Sequence, residues 1–229
     1  MVREMKDSGI AWIGTIPLDW KISRVKNECF NLDYLREPIS AEKRDNELGL
    51  YDYYGASGVI DKIDRYNVDD TVLLIGEDGA NLRMRNLPLV YRASGKFWVN
   101  NHAHILKVKP YNEYSYFAYL LESGDYTIHI TGTAQPKLSQ SNLMGFYIVT
   151  PPLIEQKKIG EYLDAQCAEI DAIIEKICSS IEEYKKLKQA IITQAVTKGI
   201  RGDRPMKDSG VEWIGRINCT PRSGHKIDP

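Results

Sequence analysis

His102 and His104 stand two residues apart in a segment of strand character, so both rings project to one face, as two ligands of a metal site do. No third ligand follows at a suitable spacing, and a packed or backbone-bonded histidine is the better reading. Thr150-Pro151-Pro152-Leu153 resembles the Asn/Asp-Pro-Pro-Tyr/Phe signature of amino-methyltransferases that act on DNA. Here Thr replaces the group that accepts from the target amine, and Leu replaces the aromatic that stacks the flipped base, so the segment reads as a hinge. Gly55-Ala56-Ser57-Gly58 and Gly76-Glu77-Asp78-Gly79 are turn-like and match neither a dinucleotide fingerprint nor a phosphate-binding loop. The common Pro-Asp nuclease arrangement has no Pro-Asp dipeptide to start from, and Asp69-Asp70 reads as a solvated acidic pair. None of the 4 histidines has an evident Ser or Cys partner. Cys29, Cys167, Cys178 and Cys219 form no Cys-x-x-Cys pair and read as reduced thiols. The expectation is a chain with no catalytic residues, no metal and no cofactor.

Binding chemistry is better represented. Residues 79–112 contain no Asp or Glu but carry Arg83, Arg85, Arg92, Lys96, Lys107 and Lys109, interleaved with Tyr91, Phe97, Trp98, Asn100, Asn101 and His102. Arg and Lys meet phosphates and guanine edges, and Asn pairs with adenine in bidentate fashion. A second acid-free stretch, 126–154, includes Gln135, Lys137 and Ser139 among short polar residues suited to phosphate or base contacts. Any one of these residues is also an ordinary strand-face position; the segregation of charge is the stronger signal. It is a local signal, because the whole chain has a net charge of −1 and a pI near 6.4.

The elements that must position these residues are marked by one repeat and one change of period. The decapeptide Met5-Lys6-Asp7-Ser8-Gly9-Ile10-Ala11-Trp12-Ile13-Gly14 returns at Met206 to Gly215 with eight of ten residues identical, so the chain holds one full repeat and the opening of another. Between the copies, short apolar runs at 71–75, 87–91, 104–108 and 146–149 read as strands, and 113–121 as a helix stopped near Gly124. After Pro151-Pro152, Leu163, Ile170, Ile177, Tyr184 and Ile191 recur every seven residues, with a second row of Cys167, Ile174, Ile181, Lys188 and Ala195. These rows predict a helix over 153–198, capped by Gly199 and about 69 Å long at roughly 1.5 Å per residue. Its seam needs a partner, and pairing with another chain is preferred to packing lengthwise on its own domain. The expected organisation is α+β: a mixed α/β domain over 1–152, one long coiled-coil helix over 153–199, and a poorly ordered start of a second repeat over 200–229.

At 229 residues and 43% apolar composition the chain has material for a core. The first ten residues lack the apolar run of a secretory signal and no window resembles a membrane span, so a cytoplasmic location is expected.

Several segments in order resemble the type I restriction-modification specificity subunit family. They are Lys6-Asp7-Ser8-Gly9 through Trp12-Ile13-Gly14, Ile16-Pro17 and Trp20; Tyr53-Tyr54-Gly55-Ala56-Ser57-Gly58 with Ile60-Asp61; Ile75-Gly76-Glu77-Asp78-Gly79; Val99-Asn100-Asn101-His102-Ala103-His104; and Gly132-Thr133-Ala134-Gln135-Pro136-Lys137-Leu138-Ser139 before Pro151-Pro152-Leu153 and Glu155-Gln156. The resemblance adds Tyr53, Tyr54 and Ser57 to the DNA-contact candidates. It implies a target recognition domain joined to a spacer helix, in a family whose full-length members carry two of each with the helices antiparallel. The half-length form implies a homodimer paired through Leu163, Ile170, Ile174, Ile177, Ile181, Tyr184 and Ile191. Methyltransferase and restriction subunits are the implied partners, and S-adenosylmethionine, ATP and magnesium would be held by them. A coiled-coil scaffold and an autonomous DNA-modifying enzyme are the rival readings; the second lacks a cofactor or metal constellation.

Overall fold

A computed structural model describes residues 3–44, 49–200, 205–212 and 214–219. The chain opens with a hairpin, β1 (Met5–Asp7) and β2 (Thr15–Pro17), followed by β3 (Lys21–Arg24), the single turn α1 (Val25–Glu28) and β4 (Cys29–Asn31). Then come α2 (Ala41–Arg44), β5 (Tyr51–Gly55), β6 (Gly58–Ile63), β7 (Val68–Gly76), α3 (Asn81–Met84), β8 (Val90–Val99), β9 (Ala103–Val108) and α4 (Tyr114–Ser123). Short elements β10 (Ile130–Thr131), β11 (Lys137–Leu138), α5 (Gln140–Gly145) and β12 (Tyr147–Thr150) lead into α6 (Leu153–Lys198). A last hairpin, β13 (Met206–Asp208) and β14 (Arg216–Asn218), follows. Two compact units result, 1–165 and 166–229.

In the first unit, six strands form one sheet in the order β4-β9-β7-β8-β5-β6, antiparallel except where β5 runs parallel to β8. The run Val72-Leu73-Leu74-Ile75 lies at the centre of this sheet and is apolar at every position because both of its faces are covered. Leu73 and Ile75 join Leu106 in a cluster with Phe117, Leu121, Leu143 and Phe146, while Val72 and Leu74 pack with Ala93, Phe97 and Ile105. Helix α4 buries Phe117 and Leu121, four apart on one stripe, and Gly124 follows its last turn.

Only the end of the expected strand 87–91 is extended. The Asn81 side chain accepts from the Leu87 N–H at 2.9 Å and donates to the carbonyls of Leu87 and Pro88 at 3.0 and 3.1 Å, which holds 87–88 in a loop. The strand begins at Val90 and continues to Val99, through residues whose mixed polarity hides their strand character.

Helix α6 is a single 46-residue element ended by Gly199, whose φ of 75° is the left-handed conformation of a helix cap. Among its residues only Gln156 and Gly160 are buried; Ile170, Ile174, Ile177, Ile181, Tyr184 and Ile191 are exposed, and Leu163 is half-buried. Within 200–229, where the sequence leads one to expect little order, β13 and β14 pair as a hairpin, and 201–204, 213 and 220–229 lie outside the described residues. No described helix is long and apolar enough to cross a membrane.

Candidate nucleic-acid interface

Four loops converge in the first unit, and backbone bonds tie them together. The Glu77 N–H donates to the His102 carbonyl at 2.8 Å, the Gly79 N–H to the Pro136 carbonyl at 3.0 Å and the Leu138 N–H to the Glu77 carbonyl at 2.8 Å. The 55–58 turn closes against the same place: a Cβ on Gly76 would stand 2.7 Å from the Ala56 carbonyl oxygen, so only glycine permits this approach. Loops 55–58, 76–80, 100–102 and 132–139 therefore form one body.

An ion network lies beneath it. His104 is fully buried; its Nδ1 is 2.7 Å from Asp33 and its Nε2 is 2.8 Å from the Leu138 carbonyl. Both partners are acceptors, so each ring nitrogen faces a group to which it can donate. Asp33 also accepts from the Ile105 N–H at 2.8 Å, and Glu77 is held by Arg36 and, at 2.9 Å, by Lys137. Burial pushes the Asp33 carboxyl upward, but the His104 bond and charge with the Ile105 and Asn31 bonds outweigh it and leave Asp33 below its ordinary range. Burial likewise opposes ionisation of Glu77, and Lys137, Arg36 and the His104 charge reverse the balance. His104 is thus a structural histidine whose neighbours are carboxylates and a carbonyl. Among the described residues no group of His, Cys, Asp and Glu is suited to a metal ion.

At the surface of this body are Ser57, Asn101, His102, Gln135 and Lys137, all exposed. Arg83 joins them through a bond from its guanidinium to the Gly132 carbonyl at 3.0 Å, with donors to spare. Asp78 lies 2.8 Å from His102 Nδ1, which fixes the ring while the side chain stays about half exposed. The Lys137 ammonium, anchored on Glu77, is held further above its ordinary range by that carboxylate.

Other predicted contacts are spent inside the fold. Tyr53 is 1% exposed; its hydroxyl accepts from the Ile39 N–H at 3.2 Å, and Arg44 stacks on its ring. Tyr54 is half-buried, edge-on to Phe97. Asn100 is buried, and its side-chain Oδ1 accepts from the His102 N–H at 2.8 Å, which shapes the turn. Ser139 caps α5 by accepting from the Asn142 N–H. Arg85 grips Glu122, and Arg92 pairs with Asp164 at 2.8 Å while lying over the Tyr119 ring. Lys96 stands opposite Asp69, at the far end of β7 from Gly76, with its ammonium over Tyr66. These residues have the right types, but sequence gives no measure of which cations a carboxylate already neutralises. Asp33 and Arg36 escape a reading of the sequence because their partners His104 and Glu77 stand 71 and 41 positions away.

The model of the type I restriction modification DNA specificity domain matches residues 17–183, which include every one of these loops and the first two thirds of α6. The chain belongs to this family. A putative type I restriction enzyme specificity subunit, S.HindORF215P of Haemophilus influenzae, is 30% identical over 152 residues, 66% of this chain and 38% of the relative. The putative MjaX specificity subunit of Methanocaldococcus jannaschii is 25% identical, over 88% of this chain and 51% of the relative. The chain thus spans about half or less of the curated relatives it matches. Among solved structures, a chain from work on complex assembly and conformational transition of the type I R-M system superposes with a TM-score of 0.64 at 17% identity, covering 86% of this chain and 49% of that one. The S subunit from M. genitalium superposes at 0.56 and 17% identity, covering 85% and 48%. The HsdS subunit from Thermoanaerobacter tengcongensis does so at 0.54 and 19%, covering 83% and 47%. At these identities the superpositions establish the fold: a mixed α/β domain with a long helix.

Proposed function

We propose that the chain reads DNA as the specificity component of a type I restriction-modification complex. The observation that carries this reading is the convergence of Ser57, Arg83, Asn101, His102, Gln135 and Lys137 on one exposed loop body inside the family-matched region. Arg83 contacts phosphates and sets register together with Lys137, whose charge remains available because Glu77 is already paired with Arg36, while Asn101, His102 and Gln135 reach base edges. The rigid ion network beneath them keeps these side chains in one arrangement, as a recognition surface requires.

The rest of the reading concerns assembly. Two copies pair antiparallel through Leu163, Ile170, Ile174, Ile177, Ile181, Tyr184 and Ile191, whose apolar surface the single chain leaves largely open. A two-fold axis across α6 presents two identical recognition domains to inverted half sites, with unread bases between them. The chain performs no chemistry and carries no cofactor; methyltransferase and restriction subunits dock on it in the cytoplasm and bring S-adenosylmethionine, ATP and magnesium.

The test is to combine the purified chain with the methyltransferase subunit from the same organism and sequence the DNA that becomes methylated. A symmetric bipartite site is expected. Methylation by the chain alone would overturn the non-catalytic role. A folded dimer that ignores both the partner and DNA, at any salt concentration, would identify a coiled-coil scaffold instead.

A further inference from the structure

The described residues of the two decapeptide copies make the same backbone bonds. In the first copy the Ser8 N–H donates to the Gly14 carbonyl at 2.9 Å, and in the second the Ser209 N–H donates to the Gly215 carbonyl at 2.9 Å. The Gly9 N–H donates to Asp7 at 2.9 Å and the Gly210 N–H to Asp208 at 3.0 Å. The Ser8 and Ser209 hydroxyls accept from Ile10 and Val211, each at 3.1 Å. A hairpin with this much internal bonding sets its own shape.

Its docking face is retained as well. The first hairpin buries Ser8 and Ile16, stacks Trp12 on Phe146 at 5.6 Å and packs Ile13 against the same core. Each has the identical residue 201 positions later: Ser209, Ile217, Trp213 and Ile214. The changes take exposed Ala11 and Thr15 to exposed Glu212 and Arg216, and half-buried Ile10, Pro17 and Trp20 to Val211, Asn218 and Pro221 in the sequence. Yet this face is not well used where it now lies. Ile16 is 2% exposed, whereas Ile217 is half-exposed, and with Ile214 it lines an open groove of about 660 Å³ against Ile192, Ala195 and Val196 of α6.

We propose that hairpin 206–218 is a docking element for the recognition domain of a second copy, where it takes the place of that copy's own first hairpin. The proposal rests on the antiparallel pairing above. The midpoint of the seam from Leu163 to Ile191 is Ile177, so antiparallel helices set Gly199 of one chain opposite Glu155 of the other. Glu155 is the residue that Arg3 and Trp20 grip at the base of the first hairpin, with the Trp20 Nε1 bond at 3.0 Å. Residues 200–205 then need to span only the last distance to the site, within a reach of roughly 20 Å for six extended residues.

The test uses the full chain carrying Ile16→Ala, Ile217→Ala or both, with mass measurements and thermal unfolding at several protein concentrations. In Ile16→Ala the partner's intact second hairpin becomes the better fit and offsets the lost packing, so at concentrations where the chain is dimeric the double variant should melt lower than Ile16→Ala, and where it is monomeric the two should melt alike. If Ile16→Ala and the double variant melt alike where the chain is dimeric, or Ile16→Ala fails to fold, the exchange is overturned while dimerisation stands. A parent chain that stays monomeric at every concentration removes the pairing itself, and with it the exchange.

Discussion

Replacing Ile177 by Asp tests the pairing at the point where the geometry is most exposed to failure. Ile177 is 54% exposed in the single chain and lies at the midpoint of the apolar row, so a two-fold axis brings both copies of it together. Full burial of an isoleucine is worth about 1.5–3 kcal/mol, and with half the side chain already covered about 1 kcal/mol remains to be gained per copy. Both copies change at once, which makes the loss about 2 kcal/mol for the apolar part alone, or roughly 30-fold in the dimer dissociation constant. Two carboxylates set against each other increase it further. Sedimentation equilibrium of the parent, Ile177→Asp and a control at Ser179, about 200° around the helix from Ile177, measures this directly. A dissociation constant that moves equally in Ser179→Asp and Ile177→Asp, or in neither, would refute the seam.

Three further outcomes follow from the loop body. Asp33 and Glu77 are both held below their ordinary values of 3.8 and 4.5, so the stability they contribute is present above about pH 4.5 and is lost as pH falls through their folded values; thermal melts between pH 7 and pH 3 should record the loss. His104→Phe leaves Asp33 buried opposite an apolar ring and should cost about 3–5 kcal/mol in a denaturant titration, against a negligible cost for His129→Phe, whose ring stands edge-on to Phe146. Lys137→Ala should weaken DNA binding across all sequences and reduce the slope of log affinity against log salt by about one, whereas His102→Ala should relax preference at a single base pair; binding titrations at several salt concentrations separate the two.

The division between what the sequence discloses and what it conceals has a physical basis. Helix α6 and the central strand β7 are legible because their apolar spacing is local: seven-residue recurrence for one, an unbroken run for the other. Strand β8 is half hidden, since Arg92, Ser94, Gly95 and Lys96 face solvent along much of it. At the candidate interface the acid-free stretch 79–112 does contain Arg83, Asn101 and His102, but it equally contains Arg85 and Arg92, which Glu122 and Asp164 neutralise from 37 and 72 positions away. A local deficit of acids says nothing about acids delivered by folding. Tyr53 and Asn100 show the same limit in the other direction: polar groups that look available are consumed by a backbone N–H each.

One pairing described above bears on how such a domain changes over time. β3 and β12 are hydrogen-bonded neighbours, Lys21 opposite Thr150 and Arg24 opposite Tyr147, so the path into the recognition domain and the path out of it leave through the same doorway. Everything from Val25 to Phe146 is, to the rest of the chain, an insertion between two stapled strands. A replacement for 25–146 that keeps Phe146 under Trp12 and Arg92 on Asp164 can carry different loops at 55–58, 76–80, 100–102 and 132–139 while the Arg3 and Trp20 bonds to Glu155 stay unchanged. Under the proposed function, a new target then requires no change in the residues of the helix seam.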